Sequence, residues 1–431
     1  MLPVDFYVTN VDVWNASGVQ EKVTVRVVSG HVDWIRANAV IDEDDAVVID
    51  GAGKALLPAG IDLQVHLRVP GQTHKETAET GLRAALRGGY AAMLLMPNTK
   101  PTIDSVEAYR LGKSLVDPVA QKYGLEVWWT AAFSEGLLGE RLVDFEALNR
   151  AGVWAFTDDG VGLESDDLMD KVFAESARLG FVALQHCEFR GHGAALAAGP
   201  AQRSLGLKAY PPEAEADMIA RDIKLLSRHP GARYHVLHVS SELSLKLIAE
   251  AKAAGLPITA EVTPHHLWFS SEDIDVANTS YKMNPPLRSG LDRSALRRAL
   301  ADGTLDFVST DHAPHEIAAK NIGFESAAFG TTGMETSLRV LLALVRDGEL
   351  SRERLVEVFS VAPARLAKKD KEFGVIAPGA PFRALLVDPA APELEIEEKD
   401  LESLSKNNVF LGEGLPGKVE THFTPAGAFR F

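Results

Sequence analysis

The sequence predicts an α/β protein: a (β/α)8 barrel of the TIM type, accompanied by a small β-sandwich domain formed from both chain ends. Three observations point there. From about residue 56, apolar strands alternate with amphipathic helices. Eight such strand–helix units fit into about 310 residues, a usual size for this barrel with insertions. The two ends of the chain read instead as short strands divided by turn residues, without helical periodicity.

The elements follow in order. The first 55 residues supply "FYVTNVDVW", "KVTVRVVSG" and "AVVID" as strands. Barrel strands are expected at 56–67, 91–98, 126–133, 153–159, 181–187, 233–240, 257–263 and 304–311. Helices lie between them, among them "KETAETGLRAALRGG" and "ELSLKLIAEAKAAG", each stopped by glycine as a helix C-terminus requires. A last helix is expected near 352–367. The tail then returns to strand-like "FRALLVD", "KVETHFT" and "GAFRF". A separate C-terminal domain would be small for a core of its own. The simplest division therefore joins 1–55 with 368–431 in one β-domain and leaves 56–367 as the barrel.

Composition narrows the function. Apolar residues are 46% of the 431, enough to bury a sizeable core. Lys and Arg number 44 against 60 Asp and Glu, a net charge of −16, which argues against nucleic acid and anionic membrane surfaces as partners. The one cysteine, Cys187, permits no intramolecular disulfide and fits a reducing cytoplasm. No run approaches the roughly 20 apolar residues of a membrane span. The N-terminus shows no basic segment followed by an apolar run, so no signal peptide is expected.

In such barrels chemistry sits at the C-terminal ends of the strands. The first strand ends in "GIDLQVHLR", with Asp62, Gln64, His66 and Arg68. Asn98 closes the second, Asp158 and Asp159 the fourth, His186 the fifth, and His235 and His238 the sixth. His265 and His266 follow the seventh, and Asp311, His312 and His315 the eighth. Residues two apart share a strand face. Gln64 and His66 therefore point one way, and only one of His235 and His238 is expected to face the barrel axis. His238, nearer the strand end, is the choice.

Imidazole and carboxylate together suit zinc and its neighbours. A shared carboxylate can bridge two ions about 3.5–4 Å apart, and a metal lowers the pKa of bound water toward about 7. A second carboxylate can accept and return a proton, and Asp311 is placed for that. A lone strand-end histidine is more often structural. The set His66, Asp159, His186, His238 and Asp311 on five strands favours a metal site. His312 and His265 are expected to be structural. His31, His74, His192, His229 and His422 are expected at the surface or in loops. Cys187 should pack in the core, and Asp158 should brace the turn after its strand.

Together these stretches resemble the dihydroorotases of the amidohydrolase superfamily, in the bacterial form built on "FTDDG". The likeness covers about residues 1–420 and is carried by "LPAGIDLQVHLRVPGQTHKETAETG", "MPNTKP", "FTDDGVG", "HCE", "HVLHVSS", "ITAEVTPHHL", "KMNPPLR" and "STDHAPHEIAAK". The resemblance implies reversible ring closure of N-carbamoyl-L-aspartate to dihydroorotate, in pyrimidine synthesis. It implies one or two zinc ions. His66, Asp159 and Asp311 would hold the first, with Asp159 bridging, and His186 and His238 the second. Asp311 would be the general acid/base. Arg68, Asn98 and His315 would grip the substrate carboxylate, Asn284 would assist, and main-chain groups of Phe329 and Gly330 would meet the ring. A homodimer is also implied. Hydantoinases and allantoinases, which are relatives, generally bridge their metals with a carboxylated lysine on the fourth strand, where this chain offers Asp159.

One position departs from the family. A histidine is expected at 64, and the chain has Gln64, whose neutral amide oxygen is a weaker zinc ligand than imidazole. Two alternatives to a working dihydroorotase follow. One is a catalytically impaired subunit that scaffolds aspartate carbamoyltransferase. The other is a different cyclic-amide hydrolase, of the hydantoinase or allantoinase type.

Overall fold

The computed structural model describes residues 5–41, 46–191 and 194–431. The chain opens with four strands, β1 (Asp5–Asn15), β2 (Gly18–Val28), β3 (His31–Ala37) and β4 (Val48–Pro58). The barrel strands β5 (Gly60–Val65), β6 (Tyr90–Leu95), β7 (Glu126–Ala131), β8 (Ala155–Phe156) and β9 (Val182–Gln185) come next. After a short pair, β10 (Leu196–Ala197) and β11 (Ala209–Tyr210), the barrel resumes with β12 (Arg233–Val236), β13 (Ile258–Val262) and β14 (Phe307–Val308). The tail adds β15 (Ala384–Asp388), β16 (Leu394–Glu395), β17 (Gly414–Leu415), β18 (Lys418–Thr424) and β19 (Gly427–Arg430).

The eight barrel strands run parallel in the order β14-β13-β12-β9-β8-β7-β6-β5. The ring closes beyond the ends of its terminal strands. There Val65 bridges His312, and the His66 amide donates to the His312 carbonyl at 2.9 Å. This is the (β/α)8 barrel the alternation of strands and helices predicts. The helix Ala78–Gly88 shows how the sequence sets the units. Thr77 caps its N-terminus with Thr80, and Gly89, at φ 85°, ends it in the left-handed region that costs glycine nothing.

Both chain ends meet in one seven-stranded sheet, ordered β19-β18-β15-β4-β1-β2-β3. Alternation along its strands feeds two cores. Leu56 and Leu386 join Phe6, Val8, Val25 and Phe423 on the outer face. Ala55, Leu57, Leu385 and Val387 point the other way into the barrel's apolar core.

Two expectations change. The predicted first barrel strand, 56–67, is two elements: β4 runs to Pro58 in the terminal sheet, and β5 starts at Gly60. Gly60 marks the crossing, since a Cβ there would lie 2.4 Å from the Phe359 ring. His422 is not at the surface. It is fully buried on β18, and its Nδ1 donates to the Leu86 carbonyl at 2.9 Å, tying the terminal sheet to a barrel helix. Alternation along "KVETHFT" reads equally well with either face inward. His31 and His74 are exposed as expected, and His229 is half-buried against Asp170. His192 lies outside the described residues.

Candidate active site

A cavity of about 180 Å³ opens at the C-terminal end of the barrel. Its wall includes His66, Arg68, Asn98, Asp159, His186, His238, Asn284, Asp311, His315, Phe329 and Gly330, every one of the candidates read from the sequence except Gln64.

Three of these side chains are aimed by strained backbone. Arg68, His238 and Asp311 have φ of 62°, 31° and 49°, values that disfavour residues with a Cβ. Such strain costs on the order of 1–3 kcal/mol per residue and clusters at functional sites. It also revises the reading of the sixth strand. β12 ends at Val236, so the two-residue period does not reach His238. His235 is buried too, stacked on Phe307 with its Nε2 3.2 Å from Glu261, while the turn beyond the strand swings His238 into the cavity.

The ligand-type atoms form two groups that share Asp159: Asp159, His186 and His238, and His66, Asp159 and Asp311. Within each group the atoms lie within 4.8 Å of one another. His66 Nε2 stands 3.1 Å from Asp159 Oδ2 and 2.9 Å from Asp311 Oδ1. Its Nδ1 meets Asn98 Oδ1 at 2.8 Å. His186 Nδ1 lies 2.9 Å from His238 Nε2 and 3.5 Å from Asp159 Oδ1.

Electrostatics concentrate positive charge at this spot. Burial opposes the charged form of His66, but the bonds to Asp159 and Asp311 outweigh it and raise the imidazole to about 9. His186 is likewise raised to about 9, against burial, by Asp159 and Glu188. Burial raises the Asp159 carboxyl, yet its bonds to His186, His238 and His66 hold it well below the usual range. A divalent cation can supply the positive charge that these carboxylates otherwise draw onto the imidazoles as protons. The donor set of imidazole and carboxylate suits such an ion.

Gln64 lies fully buried beneath the centre. Its Nε2 is 3.4 Å from both oxygens of Asp159, and among the described residues its Oε1 has no hydrogen-bond partner. The amide therefore reaches the shared carboxylate through its nitrogen, from the position where an imidazole is expected.

The far side of the cavity carries the Arg68 guanidinium beside the His315 ring. Arg68 donates through Nε to the Pro314 carbonyl at 3.2 Å and places Nη2 3.2 Å from His315 Nε2. Burial lowers the Arg68 guanidinium, Asp311 and Asp159 offset part of this, and it stands at about 10. Gly330, at φ 124°, brings its backbone against Ala313, where a Cβ would approach to 2.6 Å.

Around the centre, Asp158 accepts from the Phe133 and Ser134 amides at 2.8 and 3.0 Å, so it braces the turn after β7 and not the one after its own strand. His312 is buried with Nδ1 accepting from the Gly333 amide, and His265 is buried against His266. Cys187 packs in the core with Sγ 3.3 Å from the Tyr234 hydroxyl, and burial pushes its thiol up. Sequence reasoning missed Glu188, which orients His186 by meeting its Nε2 at 3.1 Å and accepts from Asn284 Nδ2 at 2.7 Å. Its signal was the carboxylate two residues after His186 in "HCE". It also missed Asn407, which carries no motif in this reading and whose side chain bonds the His315 amide.

Comparison with known proteins agrees with the geometry. A "Dihydro-orotase-like" family model matches residues 53–244. The dihydroorotase of Listeria innocua serovar 6a is 39% identical over 415 residues, 96% of this chain and 95% of its own. That of Geobacillus kaustophilus is 39% identical over 93% of this chain and 92% of its own. Among solved structures, the L-hydantoinase (dihydropyrimidinase) of Arthrobacter aurescens superposes with a TM-score of 0.86 at 25% identity, covering 99% of this chain and 96% of its own. The dihydropyrimidinase of Brevibacillus agri shares the fold at a TM-score of 0.82 and 23% identity, over 98% of this chain and 94% of its own. With relatives of that name at 39% identity along nearly its whole length, this chain belongs to the dihydroorotase family.

Proposed function

We propose that this protein is a dihydroorotase, interconverting N-carbamoyl-L-aspartate and dihydroorotate with loss or gain of water. The observation that carries this is one cavity lined both by two Asp159-sharing metal-type groups and by the Arg68 guanidinium with the neutral His315 ring. That combination suits a dianionic substrate bearing an amide to be made or broken.

In this reading His66, Asp159 and Asp311 hold one zinc position and His186, His238 and Asp159 the other. A divalent ion bound there supplies Lewis acidity, lowering the pKa of water and polarising a carbonyl. The chain's own groups do the rest. In the hydrolytic direction water adds to the ring amide carbonyl, the C–N bond breaks and the nitrogen gains a proton. Asp311 takes the proton from water and returns it to that nitrogen, a role worth about 10²–10⁴-fold. Arg68 offers the forked cationic donor that matches a carboxylate. Asn98, His315 and Asn284 share in holding the substrate, and main-chain groups of Phe329 and Gly330 meet the ring. The protein acts as a homodimer.

Purified protein supplied with zinc should interconvert the two compounds. Asp311→Ala should lower turnover by at least about 10²-fold, and chelation should abolish it. Absence of turnover with every divalent metal tried would overturn the proposal. The substitution at position 64 motivates a second reading, a non-catalytic partner of aspartate carbamoyltransferase. That reading requires co-purification with the transferase, and an active homo-oligomer isolated alone excludes it.

A further inference from the structure

The loop between His315 and Thr331 folds around one buried lysine. Lys320 ends the short helix Ile317–Lys320 and is 4% exposed. Its Nζ donates to the carbonyls of Ala328 and Gly330 at 2.8 and 3.0 Å, and to that of Lys282 at 3.4 Å. An ammonium has three N–H groups, one for each of these carbonyls. Two of them belong to the loop itself, and the third to the segment that carries Asn284. Burial, then the Lys282 charge, lowers Lys320 to about 7, so the three-donor form prevails below that pH.

These bonds act on Phe329 through its two peptide units. A trans peptide is planar, so its C=O and N–H point in opposite directions. The Ala328 carbonyl turns toward Lys320, which sends the Phe329 N–H away from it. On the other side the Gly330 amide donates to the Lys282 carbonyl at 2.8 Å, and the Gly330 carbonyl accepts from both Lys320 and Asn407. Gly330 has thus spent both polar main-chain groups, whereas the Phe329 amide has no hydrogen-bond partner among the described residues. Phe329 lines the cavity. A cation on the Ala328 carbonyl also polarises the shared peptide unit, which strengthens the Phe329 N–H as a donor.

We propose that Lys320 is a positioning residue: through the Ala328–Phe329 peptide unit it aims the Phe329 N–H at the cavity, as a donor to a carbonyl of the substrate ring. Lys320 touches no substrate in this arrangement. It fixes in advance a main-chain donor that a loose loop would have to order on binding.

The inference rests on the function proposed above, and its test separates the two. Nitrogen-15 NMR of protein labelled at phenylalanine follows the Phe329 amide as dihydroorotate is added at pH 6.5. Steady-state kinetics with dihydroorotate then compare the unsubstituted chain with Lys320→Met, which keeps an apolar stem and removes the donors. The expected result is a downfield shift of the Phe329 amide proton in the unsubstituted protein and loss of that response in Lys320→Met. KM should rise about tenfold in the variant, with a smaller change in kcat. A role confined to stability would lower the unfolding midpoint and leave the amide response and KM in place, which overturns the inference. A Phe329 amide indifferent to saturating dihydroorotate in an active, unsubstituted protein overturns it even if the variant fails to fold. Turnover without that response therefore refutes the role of Lys320 alone. Absence of turnover with every divalent metal tried refutes the functional reading, and the inference falls with it.

Discussion

Gln64 concentrates the chemistry of this chain in one side chain. The amide is buried, reaches both oxygens of Asp159 through Nε2, and leaves Oε1 without a partner among the described residues. An amide oxygen is a poorer zinc ligand than an imidazole nitrogen. Gln64→His should therefore tighten metal retention, by about 10–100-fold if the effect resembles other losses around metal sites. Metal content after dialysis against a graded chelator measures this, and equal retention in both proteins would show that the centre tolerates an amide. Residues of this kind were legible in the sequence because strand ends on a barrel converge whatever the loops do. His66, Asp159, His186 and Asp311 needed only that rule. Glu188 left only a faint signal, the carboxylate two residues after His186, because its contacts depend on loop geometry that no periodicity encodes.

At the level of elements, the tail does more than complete a sheet. Residues 402–409 run along the rim of the barrel. Asn407 Nδ2 donates to the carbonyls of Ala313 and Gly330 at 3.0 and 3.1 Å, while its Oδ1 takes the His315 amide. The Thr332 amide and the Thr331 hydroxyl donate to its carbonyl. Lys320 fastens the same loop, its buried ammonium donating to Ala328 and Gly330 carbonyls at 2.8 and 3.0 Å. Asn407→Ala removes three bonds from buried groups, at about 1–3 kcal/mol for each group left unsatisfied. Substrate affinity should fall with stability, and KM and the midpoint of urea unfolding should move together. A variant with lowered stability and unchanged KM would mean that the loops hold their shape without this clasp. Nothing in the sequence places residue 407 beside residue 315. The strands that join them were readable, yet the contact comes from where the tail crosses the barrel mouth.

Across the whole molecule, pH acts through imidazoles that folding keeps neutral. Burial lowers His235 and His266 to about 3 and His422 to about 4. The unfolded chain takes up protons on these rings below about 6.5, and the folded chain does not. Stability is therefore lost as pH falls from about 6.5 toward 4. His422→Phe takes one such ring away. Its cost, measured by urea unfolding, should shrink by on the order of 2 kcal/mol between pH 7.5 and pH 5. An equal cost at both values would show that His422 is not held neutral.

The seven-stranded sheet also has a consequence for biosynthesis. β4 pairs with β1 on one side and with β15 on the other, and β15 begins more than 300 residues after β4 ends. At about 5–20 residues per second, the ribosome needs on the order of tens of seconds to deliver that partner. Throughout that interval the nascent chain carries an unpaired strand edge, the kind of edge that recruits other chains. The enzyme's most exposed moment comes during its own translation, and co-translational chaperones would be needed at β4 before they are needed at the barrel.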